Sequence, residues 1–387
     1  MDRTLLMIPG PIEFEPKVLQ AMANKTDSHV APAFIQRFSR ALRSLRHVFC
    51  EPEGQPFVVA GSGTLAMEMA AANLVEPGDA VLVVNSGYFS DRYVRLLEAY
   101  YGANVTQVRA PLGEVPSADE VADALSKQPF KAMFATHVDT STGVRVDAQG
   151  LAKVARTHGV LSIFDGICAT AGERFEQGAW GADIYLTASQ KAIGVPPGLA
   201  IMIASQRAMQ VWRNRRQPVR SYYCDWAEWL PIMRAYEEER GAYFATPPVN
   251  LIDALDVSLQ IILAEGMEAV WARHTRIANA CRAAWGALGM DLVAARPEIA
   301  ANTLSAIRYP TGVDATILKR IKAEGIILAG GLHPAMKSEY FRVGHMGASK
   351  ANDVLATIGA IERALQASGV SFELGAGVAA AQRVLSD

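Results

Sequence analysis

Residues 160–198 read VLSIFDGICATAGERFEQGAWGADIYLTASQKAIGVPPG and contain two short apolar runs, 160–165 and 184–188. The first run ends in Asp165, and Lys191 follows the second run at a distance of three residues. Short apolar runs that alternate with helical patterns are typical of parallel βαβ units. The stretch therefore predicts two strands of an α/β sheet, each followed by one ionisable side chain.

The same alternation extends in both directions, from about residue 56 to residue 205. The predicted strands are 56–60, 80–85, 104–110, 132–137, 160–165, 184–188 and 199–205. Runs of this length and composition indicate buried strands, so we expect one large, mostly parallel seven-stranded sheet with helices on both faces.

Flanking segments predict the remaining organisation. A helical pattern opened by Pro32 precedes the sheet, and an aromatic-rich, weakly patterned connector follows it over 206–248. The region 249–289 is helical and leads to a second, smaller α/β domain. The small-residue-rich tail after Gly369 is expected to be loosely attached.

Composition limits the classes of function. Half of the 387 residues are hydrophobic, 20% are charged and the net charge is −2, which fits a folded enzyme-sized protein and disfavours nucleic acid or an acidic membrane as partner. The cysteines are too few and too widely spaced for metal knuckles or a disulfide framework, and no apolar run has the length of a membrane span. We expect a cytoplasmic protein without a metal site.

The stretch GSGT (61–64) leads from the first predicted strand into a helix. Its small residues, the hydroxyls of Ser62 and Thr64 and the free N–H groups of the helix start suit a phosphate. A tight turn without ligand is the alternative. A nicotinamide site is disfavoured, because the next strand ends in Val84 and Asn85 instead of the acidic residue that binds the ribose.

Asp165 and Lys191 add a carboxylate and an amine to the candidate anion site at GSGT. Alone, Asp165 could be a turn residue and Lys191 a solvated surface residue. Lys191, however, lies among small and apolar residues, where desolvation would lower its pKa and leave the amine nucleophilic. An anion site, a carboxylate and such an amine at one sheet edge are what pyridoxal 5'-phosphate needs.

The order and spacing of GSGT, Asp165 and SQKAIGVPPG (189–198) resemble the class V, fold-type I pyridoxal-phosphate aminotransferases, in particular the alanine:glyoxylate and serine:pyruvate aminotransferase family. The likeness covers nearly the whole chain. Further matching motifs are MIPGPI (7–12), HVDTSTG (137–143), GAYFATPPV (241–249), ILAGGLH (327–333) and FRVGHMG (341–347).

The resemblance implies that Lys191 carries the cofactor as a Schiff base and moves the substrate proton, while Asp165 keeps the ring nitrogen protonated. It implies three parts: an N-terminal segment (1–30) that contributes to the active site, a large cofactor-binding domain (31–265) and a small C-terminal domain (266–387). The cofactor-binding residues that it implies are Ser62, Gly63, Thr64, Phe89, Thr140, Asp165, Gln190, Lys191 and, from the other subunit of a homodimer, Tyr243 and Thr246.

For the substrate, the resemblance assigns the α-carboxylate to Arg342 and a close backbone approach to Gly10. We expect a small amino donor, alanine before serine, with glyoxylate as acceptor. Pyridoxamine:pyruvate, serine:pyruvate and aspartate:glyoxylate transamination stay open as alternatives. A cysteine desulfurase is disfavoured, because Gln190 stands where those enzymes usually have histidine and Cys281 lies in a helical pattern. A non-catalytic binding protein would be expected to have lost Lys191 or Asp165.

Overall fold

The computed structural model describes residues 4–386. Its strands are β1 (Leu5–Leu6), β2 (Gln55–Ala60), β3 (Ala80–Asn85), β4 (Asn104–Arg109), β5 (Ala132–Thr136), β6 (Val138–Asp139), β7 (Val144–Arg145), β8 (Leu161–Asp165), β9 (Ile184–Ala188), β10 (Leu199–Ala204), β11 (Leu304–Arg308), β12 (Ile326–Ile327), β13 (Ala329–Gly330) and β14 (Tyr340–Gly344).

The helices connect and cover these strands. They are α1 (Pro16–Met22), α2 (Pro32–Val48), α3 (Gly63–Leu74), α4 (Tyr88–Ala99), α5 (Ala118–Ser126), α6 (Ala148–Thr157), α7 (Gln177–Trp180), α8 (Gln206–Arg213), α9 (Trp226–Glu237), α10 (Val249–Glu265), α11 (Met267–Ala287), α12 (Ile317–Ala323), α13 (Ala351–Ala367) and α14 (Ala376–Ser386), with a short 3-10 helix at Pro297–Ile299.

The predicted seven-stranded sheet is confirmed, in the order β2-β10-β9-β8-β5-β3-β4. β3, β4, β5, β8 and β9 pair in parallel, whereas β10 runs antiparallel to both β9 and β2. The reversal follows from chain length, because only residues 189–198 separate β9 from β10 and a parallel crossover needs about a dozen residues or more. Lys191 lies in this short link.

Burial on both faces explains the apolar strand sequences. β5, β8, β9 and β10 are buried along their whole length, and one hydrophobic core joins the sheet to α2, α3, α9 and α10. Parallel strands covered on both faces lose the polar alternation of a half-exposed strand. The sheet is thus a rigid platform whose carboxyl edge carries the polar residues.

A second core lies in the C-terminal part, where α11, α13 and α14 pack with β11 and β14. The N-terminal segment joins this part through the parallel pairing of β1 with β12. Further along, the Gly344 N–H donates to the Met7 carbonyl at 2.9 Å, and the Ile12 N–H donates to the Gln190 carbonyl at 3.3 Å. Residues 5–12 therefore run from the C-terminal sheets to the lysine link.

Two expectations need correction. The tail after Gly369 is not loose: it forms α14, whose Ala380 and Ala381 are buried, and the Glu362 carboxylate accepts the backbone N–H groups of Gly375 and Gly377 at 2.9 and 2.7 Å. The connector 206–248 contains α8 and α9, although Pro231 lies inside α9. Among residues 4–386, no helix combines the length and apolar character that crossing a membrane requires.

Candidate active site

One cavity of about 190 Å³ opens at the carboxyl edge of the sheet. Ligands of open α/β sheets bind at this edge. The predicted residues that line the cavity together are Gly10, Ser62, Gly63, Thr64, Phe89, Thr140, Asp165, Gln190 and Lys191. The structure thus brings residues from six separate sequence motifs into one site.

A larger cavity of about 330 Å³ lies on the other side of the lysine link, beside Gly194. Its charged walls are already neutralised, since Arg273 pairs with Glu265 at 2.6 Å and Lys350 pairs with Glu15 at 3.2 Å. Neither Asp165 nor Lys191 lines it. The smaller cavity is therefore the candidate active site.

The loop that carries Lys191 is closed by its own hydrogen bonds. The Ser189 hydroxyl donates to the Pro196 carbonyl at 2.8 Å and accepts the Leu199 N–H at 3.2 Å. Inside the loop, the Val195 N–H donates to the Ser189 carbonyl and the Gly194 N–H donates to the Lys191 carbonyl. The main chain at Lys191 is thus fixed independently of any ligand.

The Lys191 amine is buried and donates to the Pro9 carbonyl. Burial lowers its pKa; the nearby Arg342 charge lowers it further, while Cys168 and Asp165 oppose the shift. The N-terminal segment approaches at Gly10, whose φ is +121°, and a Cβ there would lie 2.8 Å from Nζ. The expected desolvation of the lysine is confirmed, and glycine is the residue that this approach permits.

Asp165 is the last residue of β8, beside Thr136 of β5 and Leu186 of β9. Its Oδ1 accepts the Ile167 N–H at 2.8 Å. Burial raises the pKa of Asp165 to about 7, against the opposing charges of Lys191 and Arg92. A carboxylate in this position is stabilised as an anion by a cationic or N–H-bearing partner in the cavity.

The predicted phosphate cradle lies at the start of α3. Ser62 is the extended N-cap residue, and its side chain makes no capping bond to the helix. A Cβ at Gly63 would lie 2.5 Å from Ile167 Cδ1, so a larger residue there would displace the Ile167 side chain, which lines the cavity. The hydroxyl of Ser62 and the free N–H groups of the helix start are available to an anion.

Phe89 and Thr140 are held together by Asp139, which sequence reasoning passed over although it lies in the quoted HVDTSTG motif. The buried Asp139 carboxylate accepts the N–H groups of Phe89 and Ser141, each at 2.9 Å. Asp139 thereby fixes the start of α4 to the turn that carries Thr140. A carboxylate followed by two hydroxyl residues, as in DTS, was the available signal.

Arg342 lies on β14, next to the cavity. Its Nε donates to the Gly330 carbonyl at 2.9 Å and its Nη1 to the Thr140 carbonyl at 3.1 Å. Burial lowers the pKa of its guanidinium. Within residues 4–386, Nη2 has no hydrogen-bond partner, so the edge of the fork is free for a carboxylate.

The structure does not bring Tyr243 and Thr246 into the cavity of their own chain. Tyr243 is 63% exposed, its hydroxyl is 3.5 Å from Thr246 Oγ1, and the centre of its ring lies 5.4 Å from that of the His29 ring. Their predicted role in the site of a partner subunit stays a prediction.

The residues present fit the predicted cofactor. In the described part of the chain, Gln190 Oε1 is buried without a hydrogen-bond partner, although the side chain lines the cavity. Asp165 is a buried carboxylate that, among residues 4–386, accepts the Ile167 N–H and forms no salt bridge. A ligand with a protonated ring nitrogen and an anionic group, as pyridoxal 5'-phosphate has, would complement Asp165 and the start of α3.

Sequence reasoning also missed several wall residues, because their side-chain directions depend on packing. They are Met67, Arg92, Val138, Ile167 and Cys168. Across residues 4–386, no group of three or more His, Cys, Asp or Glu side chains is arranged to hold a metal ion.

Comparison with known proteins gives consistent matches. A family model described as aminotransferase class-V matches residues 17–354. The chain is 38% identical over 360 residues to alanine–glyoxylate aminotransferase 1 of Saccharomyces cerevisiae, covering 90% of this chain and 93% of the relative. It is 35% identical to the L-aspartate–glyoxylate aminotransferase of Paracoccus denitrificans, covering 97% and 95%. The crystal structure of pyridoxamine–pyruvate aminotransferase from Mesorhizobium loti matches with a TM-score of 0.93 at 28% identity, covering 100% and 98%.

Proposed function

This chain belongs to the class V aminotransferases, which depend on pyridoxal 5'-phosphate, and from that premise we propose that it transfers the amino group of a small L-amino acid to glyoxylate. Alanine is the first candidate donor and serine the second; with alanine the products are pyruvate and glycine. The observation that carries the proposal is the single cavity in which a buried lysine, a buried carboxylate and a helix start meet.

Lys191 is the proposed attachment and proton-transfer residue. When bound, the cofactor supplies an electron-withdrawing ring that stabilises negative charge at the substrate α-carbon. Burial lowers the pKa of Lys191, which shifts the balance toward the unprotonated amine that both attachment and removal of the α-proton require. The closed loop 189–199 holds the amine in place during both tasks.

Asp165 would keep the proton on the ring nitrogen, since a carboxylate in a buried site binds strongly to a cationic N–H. Ser62, Gly63 and Thr64 would bind the phosphate, Gln190 and Thr140 would contact polar groups of the cofactor, and Phe89 would stack on the ring. The partner subunit's Tyr243 and the partner subunit's Thr246 would complete the phosphate site in a homodimer.

Arg342 would bind the substrate α-carboxylate through its free fork edge. This contact is common to all amino and keto acids, so selection among them falls to the space near Gly10. Gly10 and the Pro9 carbonyl lie against Lys191 and leave little room for a substrate side chain. That crowding favours glyoxylate and a small donor, and the names of the yeast and Paracoccus relatives agree on glyoxylate.

Donors with a second carboxylate are less favoured. Among the cavity-lining residues the cationic side chains are Lys191 and Arg92, and Arg92 binds Thr64 at the phosphate end. A desulfurase-like lyase is also disfavoured, because burial raises the pKa of Cys281 to about 12 inside α11. Pyridoxamine:pyruvate transfer is the second candidate, since the Mesorhizobium structure matches so closely. We further propose a cytoplasmic location.

A half-reaction panel tests the proposal. The cofactor-loaded protein is mixed separately with alanine, serine, aspartate, glutamate and pyridoxamine, and the loss of the lysine-bound cofactor absorbance is followed. We expect rapid loss with alanine and recovery on addition of glyoxylate. If only pyridoxamine or only aspartate converts the cofactor, the proposed donor is refuted and that compound takes its place. The Lys191→Ala variant should fold and hold the cofactor without transamination.

A further inference from the structure

Arg92 is a cation in the active-site cavity to which the sequence motifs gave no role. It lies one turn into α4, is half-buried, and lines the cavity together with Thr64 and Phe89. Lys191 is the other basic residue in that wall, and the proposed function uses its amine to attach the cofactor. Arg92 is therefore the permanent positive charge of the cavity wall itself.

The position of the guanidinium is well defined. Nη2 donates to Thr64 Oγ1 at 2.8 Å, and the guanidinium carbon lies 5.6 Å from the centre of the Phe89 ring. No carboxylate of residues 4–386 lies within salt-bridge distance of Arg92. Its neighbour Asp91 instead pairs with Arg109. The charge is held at the start of α3 and has no anion to balance it there.

The hydrogen bond from Arg92 orients the Thr64 hydroxyl as a donor. Because its oxygen accepts the proton of Arg92, its own hydroxyl proton is free to be donated to a further acceptor. A hydroxyl polarised by a cation is a stronger donor than a free hydroxyl. The Thr64 hydroxyl can thus donate one hydrogen bond to an anion at the start of α3, and the positive charge of Arg92 strengthens that bond.

A phosphate monoester needs such a charge. It carries about −1.5 to −2 charges near neutral pH, whereas a helix N-terminus supplies the equivalent of only about half a positive charge. We propose that Arg92, acting through Thr64, makes the site select the 5'-phosphorylated cofactor over its unphosphorylated form. This inference rests on the proposed function, and it implies that free pyridoxal or pyridoxamine binds weakly.

The test compares cofactor affinity with and without the phosphate. Apo forms of wild type, Arg92→Gln and Arg95→Gln are titrated with pyridoxal 5'-phosphate and with pyridoxal, and binding is followed by absorbance. Arg95 is the matched control, since it lies on the same helix, is exposed and does not line the cavity. Circular dichroism of each apo protein checks that it is folded.

We expect Arg92→Gln to weaken pyridoxal 5'-phosphate binding about ten- to a hundredfold, as loss of a charged hydrogen bond does, and to leave pyridoxal binding unchanged. Arg95→Gln should alter neither. Inorganic phosphate should compete with pyridoxal 5'-phosphate in wild type and much less in Arg92→Gln. Arg92→Lys, which keeps the charge without the fork, should fall between wild type and Arg92→Gln, and serves if the glutamine variant does not fold.

Equal loss of both ligands in Arg92→Gln would overturn the inference, because it would mean that Arg92 only packs against Phe89. Unchanged affinity for pyridoxal 5'-phosphate would overturn it as well. Failure of the wild-type protein to bind either ligand would instead refute the proposed function, so the two failures are distinguishable.

Discussion

Gly10→Ala separates the contact between the N-terminal segment and Lys191 from every other property of the site. The added Cβ would lie 2.7 Å from Cδ and 2.8 Å from both Cε and Nζ of the lysine. The lysine end is flexible and the backbone is not, so the lysine would retreat. We therefore expect an effect on the position of the amine far more than on the fold.

The magnitude has two parts. Alanine at a φ of +121° costs about 1–3 kcal/mol of backbone strain. To reach ordinary van der Waals distance, Nζ must move by roughly 1 Å, and a misplacement of that size in an active site costs about a hundredfold in rate. We expect kcat to fall by that factor. Since the displaced amine is less buried, its pKa should also move upward.

Gly78→Ala is the matched control. Gly78 has a φ of +87° in an exposed turn, and nothing lies within 4 Å of an added Cβ. Both variants should lose stability to thermal unfolding to a similar degree, and only Gly10→Ala should lose activity. The assays are steady-state kcat and the pH dependence of cofactor attachment to the apo protein.

A Gly10→Ala protein with wild-type kcat and an unchanged attachment profile would refute the reasoning, since the amine would then not depend on the space at Gly10. An equal loss of activity in Gly78→Ala would refute it too, because backbone strain alone would explain the result.

Two further predictions concern Asp165 and the partner subunit. The pKa of Asp165 is about 7 in the folded protein and 3.8 ordinarily, so ionising Asp165 destabilises the apo protein. The stability of the apo protein to thermal unfolding should therefore fall as the pH rises from about 4 to 7. The Asp165→Asn variant should lose this pH dependence and most of its turnover. Mixing Lys191→Ala chains with Tyr243→Phe, Thr246→Ala chains should create hybrids with one intact site and recover activity; hybrids that form without activity would contradict a shared site.

The sheet could be predicted from sequence because its physical cause is local. Strands buried on both faces must be apolar throughout, and Asp165 and Lys191 interrupt that pattern where two strands end. Every strand of the large sheet was predicted within one residue at each end. The residues at the carboxyl edge followed, because parallel strands bring their ends together.

Arg92 and Asp139 could not be predicted in the same way. Asp139 joins the start of α4 to the β6–β7 turn, about 50 residues away in the chain, and Arg92 joins α4 to Thr64 at the start of α3, 28 residues away. Which face of α4 turns to the cavity depends on packing against the sheet. The prediction of a loosely attached tail after Gly369 was wrong for a related reason. Its many small residues suggested a loose segment, but small residues are what allow α14 to pack closely.

The closed loop around Lys191 bears on how this scaffold could be redesigned. Ser189, at one end of residues 189–199, bonds to Pro196 and to Leu199 at the other end, so most of the hydrogen bonds that shape the loop lie within eleven consecutive residues. Asp165, Arg342 and Gly10, by contrast, come from distant parts of the chain. A designer could transplant the loop as a cassette into another antiparallel β-β connection and retain its backbone shape. The lowering of the lysine pKa would not be transferred with the loop, because it comes mainly from burial by residues outside the loop.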